Sequence, residues 1–305
     1  MIKYSKFLKK KKVSIFLFHG VIDKNPFKVR NYSKKHLLVN EFDKILNDLQ
    51  HKGKCLSMDD VYNVIIKKKS FENFSYAITF DDGFYNNFKY AVPILKKKKL
   101  SATFYITSNF IDKNLMSWID KIEHMVERTN SQNFLELFGK KLGFDKDTDS
   151  KIKFLTEVRK IAKSQKKANL NTLVDTVQKQ LKFKKKIKSS NSILDKKMTW
   201  KQINLIKSNP LFLIGGHTKN HPILSFIDNR SCKKEIEGCI KKINSKIDIN
   251  LEHFSYPEGL RHTYGKREIK MLKKNKIKIC PSAEFGFNNS KSNLFHLKRI
   301  FVNKV

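Results

Sequence analysis

Short apolar runs alternate with segments of helical periodicity along most of this chain. Val13–Phe18 is almost entirely apolar and contains β-branched and aromatic residues, a pattern typical of a buried parallel strand. Tyr76–Phe80 and Ala102–Ile106 have the same character, whereas Asn40–His51 places its apolar residues at helical spacing. The alternation predicts an α/β fold with a parallel sheet or barrel.

The rest of the chain continues this pattern, except in one long segment. Further helices are predicted at Met58–Ile66, Phe84–Lys99, Arg230–Lys246 and Lys266–Lys276, and further strands at Leu211–Ile214, His253–Tyr256, Ile277–Cys280 and His296–Val302. From about Asp112 to Lys197, Lys-rich helical stretches follow one another without clear strands. We therefore expect a helical insertion at about 112–197 within a single domain that spans 1–305.

The net charge widens the range of partners to consider. The 305 residues include 64 Lys and Arg against 28 Asp and Glu, a formal net charge of +36, which attracts nucleic acid, anionic lipid and acidic glycans without specificity. The excess lies in runs such as Lys9–Lys12 and Lys96–Lys99, and no interleaved aromatic residues suggest a binding groove. We interpret the runs as solvated faces. They predict no specific nucleic acid partner and at most a peripheral contact with an anionic membrane surface.

Cysteine usage and hydropathy bear on location. The four cysteines show no Cys-x-x-Cys spacing, which is typical of reduced thiols in the cytosol. Val13–Phe18 is shorter than the apolar core of a signal peptide and leads into His19 instead of a small-residue cleavage site. No apolar stretch approaches the ~20 residues of a membrane span. These features favour a cytoplasmic protein.

Polar residues follow the ends of several predicted strands. His19 follows the first strand, Asp81 and Asp82 follow the second, and His217 and His221 follow the fourth. In parallel sheets and barrels the carboxyl ends of the strands meet at one face, where active sites form. Residues that are far apart in the sequence are therefore expected to lie together.

These residue types suit a metal site, although each cluster also has an ordinary interpretation. Two imidazoles and one carboxylate form a ligand set for Zn²⁺ or a related divalent metal. Taken alone, His217 and His221 could equally be surface histidines, and Asp81-Asp82 could equally cap a turn or a helix. Adjacent carboxylates at the end of a buried strand, however, need a cation or a proton to offset their repulsion.

Three motifs in a fixed order carry a resemblance to a known family. They are Thr79-Phe80-Asp81-Asp82-Gly83, His217-Thr218-x-x-His221 and Phe254-Ser255-Tyr256-Pro257-Glu258-Gly259. Ala102–Tyr105 after the first motif and Met198–Trp200 before the second fit the same spacing. Together they resemble the polysaccharide deacetylase family (NodB homology, chitin deacetylase-like). The resemblance covers roughly 15–302 and is weakest in the helical insertion.

The resemblance implies a distorted (β/α)7 barrel and a role for each matching residue. Asp81 matches the family's general base, while Asp82, His217 and His221 match its ligands for a divalent metal, with zinc the first choice. Tyr256 matches the residue whose backbone N–H donates to the oxyanion. The implied reaction is metal-assisted hydrolysis of N-acetyl groups on a sugar or polysaccharide.

This chain departs from the family's pattern at two positions. Many members begin the third motif with an arginine that orients the base, and Arg299 in the last predicted strand is the candidate substitute. Many members take the general acid from a Leu-x-His motif, matched by Leu294-Phe295-His296, whereas another branch places it after the first strand, matched by His19. We favour His19, expect nearby carboxylates to hold it protonated, and keep His296 as the alternative.

The sequence thus predicts a hydrolase of non-peptide carbon–nitrogen bonds that acts on an N-acetylated glycan or glycan precursor. The lack of an export signal favours a precursor in surface glycan biosynthesis over a finished polymer. The alternatives are a metal-dependent hydrolase of another carbon–nitrogen bond and a basic nucleic-acid-binding protein. The helical insertion could cap the site or bind a partner.

Overall fold

The computed structural model describes residues 3–165, 169–184 and 187–302. The strands are β1 Val13–Phe18, β2 Gly20–Ile22, β3 His36–Leu38, β4 Lys54–Cys55, β5 Ser75–Phe80, β6 Ala102–Ile106, β7 Asn133–Leu137, β8 Lys140–Phe144, β9 Phe212–Gly216 and β10 Arg299–Phe301. The α-helices are α1 Val39–Lys52, α2 Met58–Ile66, α3 Val92–Lys98, α4 Ser108–Lys113, α5 Trp118–Arg128, α6 Thr148–Ser164, α7 Leu170–Gln180, α8 Trp200–Lys207, α9 Asn229–Ile247 and α10 Lys266–Lys274. Among these residues, no helix is both long and apolar enough to cross a membrane.

A parallel sheet forms the centre of the fold. Its strands lie in the order β10-β1-β5-β6-β9, with β4 beside the start of β5. Single parallel bridges complete the circuit from β9 back toward β10, and they join Gly216 to Phe254, His253 to Ile279 and Pro281 to Leu297. The sheet therefore closes into a distorted (β/α)7 barrel, and the predicted fold class is confirmed.

Alternation along the central strands decides which side chains face the barrel interior. Phe18, Phe80 and Phe104 share one register across β1, β5 and β6, and their rings stack with centroids 5.4 and 5.0 Å apart. The row packs on Phe42 of α1, in the main hydrophobic core outside the barrel. Because successive strand residues face opposite sides, the residue after each phenylalanine is directed inward.

Apolar side chains fill the barrel at the amino-terminal ends of its strands. Val13 and Ile15 of β1 and Ala77 of β5 pack there with Met58 and Val61 of α2. This cluster closes one end of the barrel. The polar residues that follow the strands therefore surround the other, carboxyl-terminal end.

The insertion differs from its prediction in one respect. The structure places α5, α6 and α7 within 112–197, but β7 and β8 also form an antiparallel hairpin there, so the expectation of no strands is wrong. The turn residue Phe138 adopts a positive φ of 55°, which is unusual for phenylalanine, and this hid the turn in the sequence. Buried residues of the insertion form a core of their own, to which, among the described buried residues, only Val29 is added from outside the insertion.

The prediction that 1–305 forms a single domain stays a prediction.

The predicted helix Phe84–Lys99 is also modified. A π-helical turn spans Asn87–Ala91, and α3 follows it with Pro93 in its first turn. Proline suits this position because its missing N–H has no intrahelical partner there. The predicted strands His253–Tyr256 and Ile277–Cys280 contribute only single bridges to the barrel.

Candidate metal centre and active site

Asp81 and Asp82 follow β5 at the carboxyl end of the barrel, and both side chains are buried. Because Phe80 packs outward, Asp81 is directed into the barrel. Asp82 has a φ of 74° and Gly83 a φ of 73°, so the backbone turns sharply after the strand. A left-handed aspartate is a strained conformation of the kind that clusters at functional sites.

The two glycines that end β9 leave room for neighbouring aromatic rings. A Cβ on Gly215 would lie 2.4 Å from the Tyr105 ring, and a Cβ on Gly216 would lie 2.7 Å from the Phe254 ring. Both distances are shorter than real Cβ contacts. The aromatic side chains of adjacent strands therefore require glycine here, and this close packing fixes the start of the loop that carries His217.

The loop after β9 turns both imidazoles toward Asp82. Thr218 and His221 adopt positive φ values of 62° and 60°, and the His221 N–H donates to Thr218 Oγ1 at 3.0 Å. His217 Nδ1 donates to the Ser255 carbonyl at 2.8 Å, which leaves Nε2 with its lone pair free. The Nε2 atoms of His217 and His221 lie 3.6 and 3.4 Å from Asp82 Oδ1.

These three side chains fit a divalent metal. One donor atom from each of Asp82, His217 and His221 lies within 4.8 Å of the other two. Asp82 Oδ1 is buried and has no hydrogen-bond partner among the described residues, which is costly unless a cation takes it. A tetrahedral zinc ion with ligands at ~2.0–2.1 Å separates its ligand atoms by ~3.3 Å, close to the distances from Asp82 Oδ1. Burial also lowers the pKa of His217, which favours the neutral imidazole that metals bind.

Arg299 holds Asp81 through two parallel hydrogen bonds. Its Nη1 donates to Oδ1 and its Nη2 to Oδ2, each at 2.9 Å, and Nη2 also lies 3.0 Å from Ser255 Oγ. Burial acts to raise the pKa of the Asp81 carboxyl, but Arg299 and His217 beside it keep that pKa below its ordinary value. The structure thus places Arg299 where a residue that orients Asp81 must lie. Its role stays a prediction.

The two candidate acids lie in different places. His19 lines the cavity that contains Asp81 and Asp82, whereas His296 is not part of the lining and is hydrogen-bonded to Tyr264 at 3.0 Å. Burial lowers the pKa of His19 to about 4, although both carboxylates act in the opposite direction. The expectation that the carboxylates hold His19 protonated is therefore wrong, because the cost of removing its charged form from water is larger.

Tyr256 is packed firmly at the edge of the same cavity. Its ring stacks on Tyr264 with centroids 3.7 Å apart, and its hydroxyl donates to the Phe295 carbonyl at 3.2 Å. These contacts fix the backbone of the third motif beside the metal ligands. The proposed hydrogen bond from the Tyr256 backbone N–H to an oxyanion stays a prediction.

Residues outside the motifs complete a cavity of about 440 Å³. Lys35 Nζ lies 3.2 Å from Asp82 Oδ2 and 3.3 Å from Asp120 Oδ1, and Trp118 and Arg159 of the insertion also line the cavity. None of these four residues was predicted from the sequence. Lys35 is one lysine among many, and Asp120 resembles an ordinary acidic residue in the first turn of a helix, so no local signal marks either one.

Several solved structures share this fold. The Streptococcus pyogenes deacetylase PplD, solved in complex with acetate, has a TM-score of 0.61 at 15% identity, with 95% of this chain and 92% of that chain covered. IcaB from Ammonifex degensii has a TM-score of 0.62 at 13% identity, with 97% and 94% covered. A de-N-acetylase from Aggregatibacter actinomycetemcomitans has a TM-score of 0.61 at 13% identity, with 96% of each chain covered. At such low identities these likenesses establish the fold.

A closed α/β barrel with a buried carboxylate pair and two histidines at its mouth defines a hydrolase of the carbohydrate deacetylase class. The chain belongs to the polysaccharide deacetylase family, because the sequence profile of that family matches residues 68–134 and 161–279, more than half of the chain. It is therefore a hydrolase of carbon–nitrogen bonds other than peptide bonds, as predicted. No curated protein matches the chain in sequence.

Proposed function

We propose that this chain is a zinc-dependent N-deacetylase that acts on an N-acetylated sugar in a glycan or glycan precursor. The observation that carries the proposal is the convergence of Asp82 Oδ1 with the Nε2 atoms of His217 and His221. Asp81 stands beside this set and is not needed as a ligand, so it is free to act as a base. The family's activity and the acetate in the PplD structure are consistent with this reaction.

Asp81 is the base in this proposal. When bound, the metal supplies a Lewis acid that polarises the acetamide carbonyl and lowers the pKa of a nearby water molecule. Asp81, which Arg299 keeps ionised, accepts a proton from the attacking water at a carboxylate oxygen. The Tyr256 backbone N–H donates to the oxyanion that develops on the substrate.

His19 delivers the proton that the leaving amine requires. Its imidazole is neutral in the free protein at neutral pH, because its pKa is lowered to about 4. A neutral imidazole can relay a proton by accepting it on one ring nitrogen and donating from the other. His19 Nδ1 is buried without a hydrogen-bond partner among the described residues, so one ring nitrogen is available for this transfer.

Acetate release tests the proposed function. The purified chain would be incubated with a panel of N-acetylated glycans and monosaccharide derivatives, before metal removal, after it, and after zinc is restored. We expect acetate from at least one N-acetylated sugar, its loss on chelation, and its return with zinc. Full activity in the metal-free protein would contradict zinc dependence, whereas release of another acyl or amide product instead of acetate would support a different carbon–nitrogen bond.

A role in surface glycan biosynthesis, a cytoplasmic location and a peripheral contact with an anionic membrane remain proposals that rest on the sequence. The same holds for the absence of a specific nucleic acid partner. Fractionation of cells that produce the full protein, followed by detection in the cytosolic, membrane and secreted fractions, would test the location directly. Recovery in the secreted fraction would overturn it.

A further inference from the structure

One face of α6 forms a wall of the active-site cavity. Thr156, Arg159, Lys160 and Lys163 all line the cavity, and they follow the i, i+3, i+4, i+7 spacing of a single helical stripe. Arg159 and Lys163 are partly buried, whereas Lys160 is exposed at the rim. This stripe brings three cationic side chains to the end of the cavity formed by the insertion.

Most cations around the cavity already have an anionic partner. Arg299 is paired with Asp81, Lys35 with Asp82 and Asp120, and Lys163 with Glu258 at 2.5 Å. Arg159 makes a looser contact of 3.7 Å with Glu123. Among the residues that the structure describes, Lys160 forms no ion pair.

The wall is held in place by contacts on both sides. The Lys163 carbonyl accepts a hydrogen bond from His262 Nε2 at 2.9 Å, and Arg159 Nη1 donates to Ser33 Oγ at 3.3 Å. On its other face, α6 buries Leu155 and Val158 in the core of the insertion. The positive end of the cavity is therefore preorganised, and binding does not have to order it.

Two of the three cations at this end, Arg159 and Lys160, lie outside the part of the chain that matches the family, whereas Lys163 lies inside it. The family profile stops at residue 134 and resumes at residue 161, so Arg159 and Lys160 fall in the gap. The metal ligands and the base all lie inside the matched segments. Arg159 and Lys160 are thus suited to choosing the substrate, apart from the chemistry that the family shares.

We propose that the substrate carries an anionic substituent, a phosphate diester or a carboxylate, which Arg159 and Lys160 bind while the acetamide lies at the metal centre. This inference rests on the proposed N-deacetylase function. A guanidinium can donate two parallel hydrogen bonds to either anion, and an adjacent ammonium adds a second charge. A neutral sugar hydroxyl would leave the Lys160 ammonium without an anionic partner among the described residues and the Arg159 guanidinium with only its loose contact to Glu123.

Affinity for matched probes tests the inference without relying on turnover. The probes are methyl glucoside, its 6-(methyl phosphate) diester and the methyl glycoside of glucuronic acid, which have no acetamide and differ only in whether C6 carries a hydroxyl, a phosphate diester or a carboxylate. Calorimetric titration of the full chain should give ~10-fold tighter binding of at least one anionic probe than of the neutral one. The probe that binds tighter identifies the phosphate or the carboxylate as the recognised group.

Charge reversal on α6 locates the binding site. Lys160→Glu should lower the affinity of the chain for the preferred anionic probe ~10-fold. The matched control is Lys153→Glu, because Lys153 is exposed on the same helix, does not line the cavity and lies two turns away. It should change the affinity much less, since screening is strong over that distance. Equal losses in the two variants, or no anion preference in the unmodified chain, would overturn the inference.

Acetate release separates this inference from the function on which it rests. The same three substituents are placed on N-acetylglucosamine, and kcat/KM is measured for each. Release at equal kcat/KM from all three, with no anion preference in binding, would leave the deacetylase function standing and remove the anionic subsite. Anion binding that depends on Lys160, without acetate release from any substrate, would support the anionic subsite and contradict the deacetylase function.

Discussion

Asp81 and Asp82 are adjacent, yet their surroundings assign them different chemistry. Arg299 occupies both oxygens of Asp81 in a planar pair, so this carboxylate is oriented and kept ionised. Lys35 takes only Oδ2 of Asp82, so Oδ1 remains unpartnered and close to both histidines. A single residue step along the chain therefore separates the proposed base from a proposed metal ligand.

Replacing the two candidate acids one at a time distinguishes them. We predict that His19→Ala lowers kcat for acetate release by ~100-fold or more, because proton transfer to the amine is lost. His296→Ala should leave kcat nearly unchanged, since His296 does not line the cavity. Zinc content is measured in both variants as a control and should not change. Equal losses of kcat would contradict the assignment of His19.

At the scale of the element, the end of β9 depends on glycine. We predict that Gly215→Ala destabilises the protein by ~1–3 kcal/mol, because the new Cβ would lie 2.4 Å from the buried Tyr105 ring. The matched control is Gly238→Ala within α9, where the nearest atom is the flexible Lys219 side chain at 3.4 Å. Alanine is the better helix former, so this variant should be neutral or more stable by up to ~1 kcal/mol.

Unfolding in urea measures both glycine variants. A loss of stability in Gly238→Ala as large as that in Gly215→Ala would contradict the packing argument. If zinc affinity falls in Gly215→Ala and not in Gly238→Ala, this result would show in addition that the end of β9 positions His217.

The contact between α6 and the barrel should depend on pH. Burial acts to raise the pKa of Glu258, but Lys163 and His221 lower it to about 2. Since the folded-state pKa lies below the ordinary value of 4.5, the stabilisation is present above about pH 4.5 and is lost as the pH falls toward 2. We predict that Glu258→Gln lowers the free energy of unfolding at pH 7, by ~3 kcal/mol at most, and by roughly half that amount or less at pH 3.

Urea unfolding at the two pH values checks this prediction. The control is Glu72→Gln, which removes the exposed pair with Lys54 and should change stability little at either pH. A Glu258→Gln effect that is the same at pH 3 and pH 7 would contradict the proposed ion pair.

At the scale of the whole molecule, the barrel and the residues that follow its strands could be predicted from the sequence. Apolar runs such as β1 and β6 are local signals, and strand ends in a parallel barrel meet at one face, so the sequence alone places Asp82 near His217. The sequence offered Arg299 only as a candidate substitute for the family's base-orienting arginine, and the structure places it against Asp81.

What the sequence could not predict comes from contacts between distant segments. Lys35 bridges Asp82 and Asp120 only because the insertion folds back over the barrel mouth, and no local sequence pattern indicates that contact. The β7–β8 hairpin was hidden by its Phe138 turn. The pKa of His19 was misjudged for a related reason, because burial depends on the whole fold while neighbouring charges can be inferred from the motifs.

Zinc affinity in Asp82→Asn, compared with Asp81→Asn, tests the central claim most directly. Competition with a chelator should show that Asp82→Asn weakens zinc binding by ~100-fold or more, whereas Asp81→Asn keeps it and loses acetate release. Circular dichroism confirms folding, and His221→Ala provides a second ligand variant if Asp82→Asn does not fold. Equal zinc affinity in Asp82→Asn, His221→Ala and the unmodified chain would contradict the account.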